Sequence, residues 1–598
     1  MARRILVLIG LAILNTSLVA EDQPSNRQAL FGDLHVHTRL SFDAWGFGVR
    51  TSPDDAYRFA KGEAIDHPSG YTIQLDRPLD FYAVTDHGMY LGVLDAAANP
   101  DHPMSQREGA ENIKVEMSYI ERRQTYGENF AFARENPDEE VQKSAWRRII
   151  DAAEQHNDPG KLTTFIAYEF TSSIGGNLHR NVIFAGSNAP EKPFSRLDSP
   201  NPEDLWRWMD EQRGSGIELI AIPHNANKSN GRMFETTTFD GEPLTAEYAD
   251  FRMRNEPLVE VTQVKGTSET HPFLSPEDEW AGFEITYYRV ASWLLSQPSG
   301  SYVRDAYKKG LAMQNDYGFN PYRFGLVGAS DSHNAGFLFE EENYIGKIGQ
   351  FDGLPVHRGS VPVTPASDEA PAAYARNYFG RWSSAGLAAV WAEENTRESI
   401  FSAFRRKETF ATSGPRIRVR LFAGYGLPED LNSPDLLDDA YEGGVPMGGD
   451  LALREEGVPS LLAWAAADPR GAPLARLQIV KVWVEGNDQK EAVYDVACSD
   501  GLEVDAETNR CPENGAEVNL EDCSITEGVG AATLLTRWED PDFANDQRAA
   551  YYLRALENPT CRWSTWDAIR ADVSPRPDLP RTLSERAWSS PIWFEPSD

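Results

Sequence analysis

Short apolar runs bounded by polar turns recur at 29–34, 79–84, 162–168, 181–184, 217–222, 258–261 and 324–327. Runs this short, with consecutive apolar positions, predict strands buried on both faces. Helical periods fall between many of them. In SAWRRIIDAAEQHN, Trp146, Ile149, Ile150 and Ala153 follow the i, i+3, i+4, i+7 rule, and Ser144 is the expected N-cap. In NPEDLWRWMDEQRGSG, Asn201 caps, Pro202 takes the first helical position, and Gly214 and Gly216 stop the helix. Residues 301–313 read as a further helix, and Thr396 caps another. Strands alternating with helices predict an α/β fold, a barrel over about 28–415, with 95–157 as a helical insertion or lid. From about 416 the texture changes. IRVRLFAG, SLLAWAAA and RLQIVKVWVEG read as strands, so 416–598 is expected to be a β-rich domain.

Composition narrows the function classes. The formal charge of −35 would repel a phosphate backbone or an anionic membrane, which argues against nucleic acid as a partner. The first residues, MARRILVLIGLAILNTSLVA, combine Arg3 and Arg4 with a short apolar run and end at Leu18-Val19-Ala20. They read as a signal peptide over 1–20, too short for a membrane span, so a protein exported to a bacterial periplasm or beyond is expected. No later segment is apolar for long enough to span a membrane. Cys498, Cys511, Cys523 and Cys561 are an even set near the C-terminus. In an exported chain they predict two disulfides; three pairings are open, with the sequential one favoured.

The sharpest feature is where the histidines fall. LFGDLHVHTRLSFD places His35 and His37 two apart at the end of a strand, where both side chains leave on one face. LDFYAVTDH runs into Asp86 and His87; FIAYEF ends near Glu169; His179 opens HRNVIF; ELIAIPHN ends at His224; RFGLVGASDSH ends with Asp331 and His333. Six of the 11 histidines thus lie at expected strand ends beside acids. In a parallel α/β barrel such ends meet at one face, and a His/Asp/Glu cluster there is expected to be a metal site. Glu260, inside a strand, is expected to be a buried structural group. His67, His102, His156 and His357 read as solvated loop residues.

DLHVHTRLSFD, TDHG, YEF, PHN and SDSH, in this order, resemble the motifs of the PHP (polymerase and histidinol phosphatase) superfamily of metal-dependent phosphoesterases. RPLDFYAVTDH, GGNLHRNVIF, QVKGTSETHP, WAEENTRE, ETFATSGPRI and ENPTCRWS resemble, over nearly the whole mature chain, a secreted PHP-like family known as a domain of unknown function. The PHP resemblance, over about 28–335, implies a distorted (β/α)7 barrel carrying up to three divalent ions, Zn, Mn or Fe. It implies His35, His37, Glu169 and Asp331 around one ion, with Glu169 bridging to a second held by His179 and His224. Asp43, His87 and His333 would hold a third; Asp43 departs from the pattern, which often has histidine there. Asp86 is expected to orient an imidazole from behind the ligands.

The resemblance implies hydrolysis of a phosphoester or related small anionic ester by metal-activated water. Arg180 and Lys265 are the candidates for holding the substrate's charge. Glu269 and His271 are candidate proton donors, and Arg232, Arg323 and Arg416 lesser candidates for the site. Two other readings stay open: a carboxyester, lactone or amide hydrolase on the same barrel, and a non-catalytic metal-containing binding protein.

Overall fold

The computed structural model describes residues 26–596, so the leader expected at 1–20 lies outside the described residues. The architecture is mixed α/β. In the first part of the chain the strands used below are β1 (Gln28–Val36), β2 (Phe81–Val84), β3 (Thr163–Phe165), β4 (Ala167–Phe170), β5 (Arg180–Phe184), β6 (Leu219–Pro223), β7 (Leu258–Gln263), β8 (Gly325–Gly328), β9 (Leu387–Ala392) and β10 (Thr409–Thr412). Those that follow include β11 (Arg418–Gly424), β12 (Asp450–Ala452), β13 (Ser460–Ala466), β14 (Leu474–Glu485), β15 (Asp488–Cys498), β16 (Thr533–Glu539), β17 (Ala549–Glu557), β18 (Arg586–Ser589) and β19 (Ile592–Glu595). The helices used below are α1 (Phe42–Gly46), α2 (Pro53–Ala60), α3 (Tyr119–Glu135), α4 (Glu139–His156), α5 (Pro202–Gly214), α6 (Val303–Tyr317) and α7 (Arg397–Arg406).

An 11-stranded sheet runs in the order β12-β19-β17-β18-β10-β9-β1-β2-β3, with β14 added on β17 and β15 on β14. Its β1, β2 and β3 are parallel, and β9 lies antiparallel to β1. This sheet crosses position 416 without a break: β18 pairs with β10, so the C-terminal strands share hydrogen bonds with the first part of the chain. A three-stranded antiparallel sheet, β4-β5-β6, and a parallel pair, β7-β8, stand beside it. The run 162–168, which reads as one strand, is two. At Ile166 the chain leaves the large sheet and enters the small one, because β3 pairs with β2 while β4 pairs with β5.

Close packing sets where the strands sit. Gly32 in β1 faces the Phe81 ring so tightly that a Cβ would lie 2.2 Å from it. The N-cap of helix α4 is six residues earlier than Ser144, at Asp138, whose side chain accepts from the Val141 N–H. Ser144 is exposed in mid-helix. Asn201 caps α5 with Pro202 at its first position, and Thr396 caps α7, as the sequence predicts. The cysteines pair sequentially, Cys498 with Cys511 and Cys523 with Cys561. Among the described residues no helix is long and apolar enough to cross a membrane.

Candidate metal centre

Strand ends deliver the cluster. His35 lies in β1 and His37 one residue beyond its end, with the two rings 5.3 Å apart on one face. A parallel bridge from Val36 to Ser332, with the His37 N–H donating to the Ser332 carbonyl, sets the segment after β8 beside them. Asp331 in that segment has φ +57, a left-handed conformation that costs an aspartate about 1–2 kcal/mol and turns its carboxylate toward the histidines. A second parallel bridge joins His87, just after β2, to Glu169 in β4. His179 immediately precedes β5 and His224 immediately follows β6. Asp43 comes from α1.

The distances sort these residues into three groups. Glu169 Oε2 lies 3.4 Å from His35 Nε2 and 3.3 Å from His37 Nε2, and Asp331 Oδ1 lies 3.3 and 3.5 Å from the same atoms. The other oxygen of Glu169, Oε1, lies 2.7 Å from His179 Nδ1 and 3.7 Å from His224 Nε2. Asp43 Oδ2 lies 3.1 Å from His87 Nε2 and 3.0 Å from His333 Nε2. One carboxylate therefore presents an oxygen to each of two groups, as a bridging ligand does. All nine predicted metal ligands converge; eight are buried and Asp43 is partly exposed.

Metal ions fit this donor set. His35 Nε2, His37 Nε2 and both nitrogens of His224 are buried without a hydrogen-bond partner. Leaving a buried polar atom unsatisfied costs about 1–3 kcal/mol, so four together call for a ligand. Sets of three ligand atoms within 4.8 Å of one another occur at His35/His37/Asp331, His37/His87/His333, Glu169/His179/His224 and His35/His224/Glu260. The charge states also suit coordination, which needs neutral imidazole and ionised carboxylate. Burial pushes His35 well below the usual range, His179 to about 4 and His333 to about 3. Burial alone would raise Glu169 and Asp331, but the histidines around Glu169, and His35, Lys265 and Lys347 around Asp331, hold both well below the carboxylate range. His87 goes the other way. Burial lowers it, yet Asp43 and Glu169 on either side pull it up to about 10, so a cation bound by those carboxylates would compete with its proton.

A supporting shell fixes the ligands. His35 Nδ1 lies 2.9 Å from Glu260 Oε2, which makes Glu260 the buried hydrogen-bonded group expected of it. Asp86 touches no imidazole directly. It accepts from Ser41 Oγ at 2.8 Å, and Ser41 lies 2.9 Å from His37 Nδ1, so Asp86 orients His37 through a hydroxyl. Lys265 Nζ lies 2.5 Å from Asp331 Oδ2 and Lys347 Nζ 2.8 Å from Oδ1.

A cavity of about 300 Å3 opens on Asp43 and His333. Lys228, Lys265 and Lys347 also line it, and Phe47, Tyr126, Phe351, Tyr378 and Trp382 form aromatic walls. Sequence reasoning found Lys265 but missed Lys228 and Lys347. Lys228 lies four residues after His224, a nearness that could have flagged it; Lys347 carries no such signal.

Other candidates lie elsewhere. Glu169 pairs with Asn181 across β4 and β5, so Arg180 is on the opposite face; its guanidinium donates to Glu256 at 2.8 Å in a buried pair. Arg180 therefore does not reach the cluster. Glu269 is buried between Arg304 and Arg554, and His271 lies against Tyr287 and Tyr302. Arg232 pairs with Glu235, Arg323 with Glu595 and Asp450, and Arg416 donates to the Arg77 and Pro78 carbonyls. His67 is no solvated residue: it is buried and stacked on Tyr71 with centroids 4.4 Å apart.

No curated protein and no solved structure matches the chain. Residues 24–596 match one family along nearly their whole length, and the chain belongs to it: the protein family of unknown function DUF3604.

Proposed function

We propose that the protein is an exported metal-dependent hydrolase, related to the PHP phosphoesterases, that acts on a small anionic ester such as a phosphoester. One observation carries the reading: nine side chains able to ligate metal, eight from strands or the segments beside them and Asp43 from α1, converge in one cluster that meets a cavity through Asp43 and His333, with Glu169 turning an oxygen to each of two histidine groups. In this reading His35, His37, Glu169 and Asp331 hold one divalent ion, Glu169, His179 and His224 a second, and Asp43, His87 and His333 a third, from Zn, Mn or Fe. Bound ions would supply Lewis acidity and lower the pKa of water from 15.7 toward about 7.

The chain's own groups do the rest. Glu260 and Ser41 orient His35 and His37. Lys265 and Lys347 keep Asp331 ionised, and with Lys228 they bring positive charge to the cavity despite the acid-rich composition. The aromatic walls lower the local polarity around those charges, which strengthens them. No side-chain nucleophile is called for. All four cysteines are in disulfides, and Ser41 is fully buried and donates to Asp86. The two disulfides suit an oxidising compartment, which supports export. The same reading takes β1 to β8 as a distorted PHP-type barrel; the bridges at Val36–Ser332 and His87–Glu169, which tie separate sheets together around the histidines, support it.

The test is metal content by mass spectrometry, on wild type and Glu169→Ala purified without added metal. Two or three equivalents in wild type, falling sharply in the variant, are expected. A wild type that holds no metal, even after incubation with Mn2+ or Zn2+, would end the hydrolase reading and favour a binding protein.

A further inference from the structure

Lys228 is buried, at 4 % exposure, and it lines the same cavity as Asp43 and His333. Its ammonium has no carboxylate within ion-pair distance among the described residues, unlike Lys265 and Lys347, which both hold Asp331. It donates to two neutral oxygens, Thr286 Oγ1 at 2.9 Å and the Tyr288 carbonyl at 3.1 Å. An ammonium has three N–H donors, so one is left for a guest in the cavity. Thr286 in turn donates to the Lys265 carbonyl at 2.8 Å, which locks the position of the acceptor that holds Lys228.

An uncompensated buried cation is costly, and it lasts only where something else repays it. Burial, with Lys265 adding to it and Asp331, beyond ion-pair distance, only partly opposing, pushes Lys228 down to about 7. An anion in the cavity would reverse both effects, and a neutral guest would reverse neither. We propose that Lys228 is the residue that selects negative charge on the substrate, so that the cavity takes esters anionic at the reacting centre and rejects neutral carboxyesters of similar size. This rests on the hydrolase reading for turnover, but the anion-binding part stands without it.

The experiment uses the full chain loaded with Mn2+, as wild type, Lys228→Met and Lys228→Arg, with metal content and melting temperature checked for each. Inorganic phosphate is the binding probe, by calorimetry; 4-nitrophenyl phosphate and 4-nitrophenyl acetate are the turnover pair. Phosphate affinity should fall about 10- to 100-fold in Lys228→Met, the range of a charge-assisted hydrogen bond, and return in part in Lys228→Arg. In the turnover pair, kcat/KM should favour the phosphate in wild type, and Lys228→Met should erode that preference through the phosphate alone. Equal phosphate affinity in wild type and a folded, metal-loaded Lys228→Met would overturn the proposal, as would a wild type that prefers the acetate. If wild type turns over neither ester, the hydrolase reading has failed on these substrates, and the calorimetry still decides the role of Lys228.

Discussion

Ser41 stands between Asp86 and His37, four residues after the histidine it steadies. Removing its hydroxyl frees the His37 ring to turn and takes away the acceptor of the His87 backbone N–H. Groups that orient a metal ligand from behind are typically worth 10–100-fold in metal affinity. Ser41→Ala should therefore fold normally and lose metal about 10- to 100-fold more readily in a chelator competition. Unchanged affinity would mean that packing alone fixes His37. This contrast between ligand and support explains what was legible at this scale. His35 and His37 could be read because strand alternation puts i and i+2 on one face, and the other ligands because each closes or opens an apolar run. Glu260 and Lys347 act on partners that only the fold brings near, and no local periodicity reports that; Ser41 is four residues from His37, but the Asp86 it links to lies 45 residues on. Arg180 shows the converse: it sits beside a ligand in sequence, but alternation sends it to the opposite face of β5.

At the scale of the element, apolar periodicity gave β1 to β8 but blurred two boundaries and missed the short strands Ile65–His67, Tyr71–Ile73 and Gly266–Thr267. The run 162–168 is continuous in hydrophobicity, and pairing partners far away in sequence divide it into β3 and β4. Helix α4 starts at its acidic first turn, Glu139 and Glu140, ahead of the densest part of the apolar stripe; buried Val141 extends that stripe, but polar Gln142 and Lys143 mask it. Capping follows the real start. Asp138→Ala should cost about 1 kcal/mol by denaturant unfolding, whereas Ser144→Ala should leave stability unchanged or slightly raised, since alanine is the better helix former. The reverse order would return the N-cap to Ser144. Residues 95–157, expected to be a helical insertion, contain α3 and α4, and Tyr126 of α3 lines a wall of the cavity.

Across the whole molecule the expected break at 416 could be drawn only from a change of texture; composition cannot show that β18 returns to pair with β10. A buried ion cluster strengthens that union. Glu269 accepts from Arg304 in α6 at 2.5 Å, from Tyr552 in β17 at 2.6 Å and from Trp588 in β18 at 2.8 Å, and Arg554 grips Asp278 with two bonds of 2.9 Å. Burial would raise Glu269, but Arg554 and Arg304 prevail and hold it at about 2, below its ordinary 4.5. A depressed carboxylate stabilises the fold fully above its unfolded pKa, and the contribution drains away as pH falls through the folded one. Melting temperature should therefore drop between about pH 4.5 and 2, and Glu269→Gln, already weaker at neutral pH, should flatten that limb. An equal slope in both proteins would assign the acid loss to other carboxylates. The chain's charge of −35 around a cavity that carries three lysines has a kinetic consequence as well. An approaching anion meets repulsion at long range and attraction only near the mouth, and salt screens the distant field first, with a Debye length of about 10 Å at 0.1 M. Capture should then quicken as salt rises from about 10 to 100 mM, the opposite of ordinary electrostatic steering, and stopped-flow binding of phosphate would record the trend. Such a molecule would sieve by charge number, turning back long polyanions at a distance while admitting small anions.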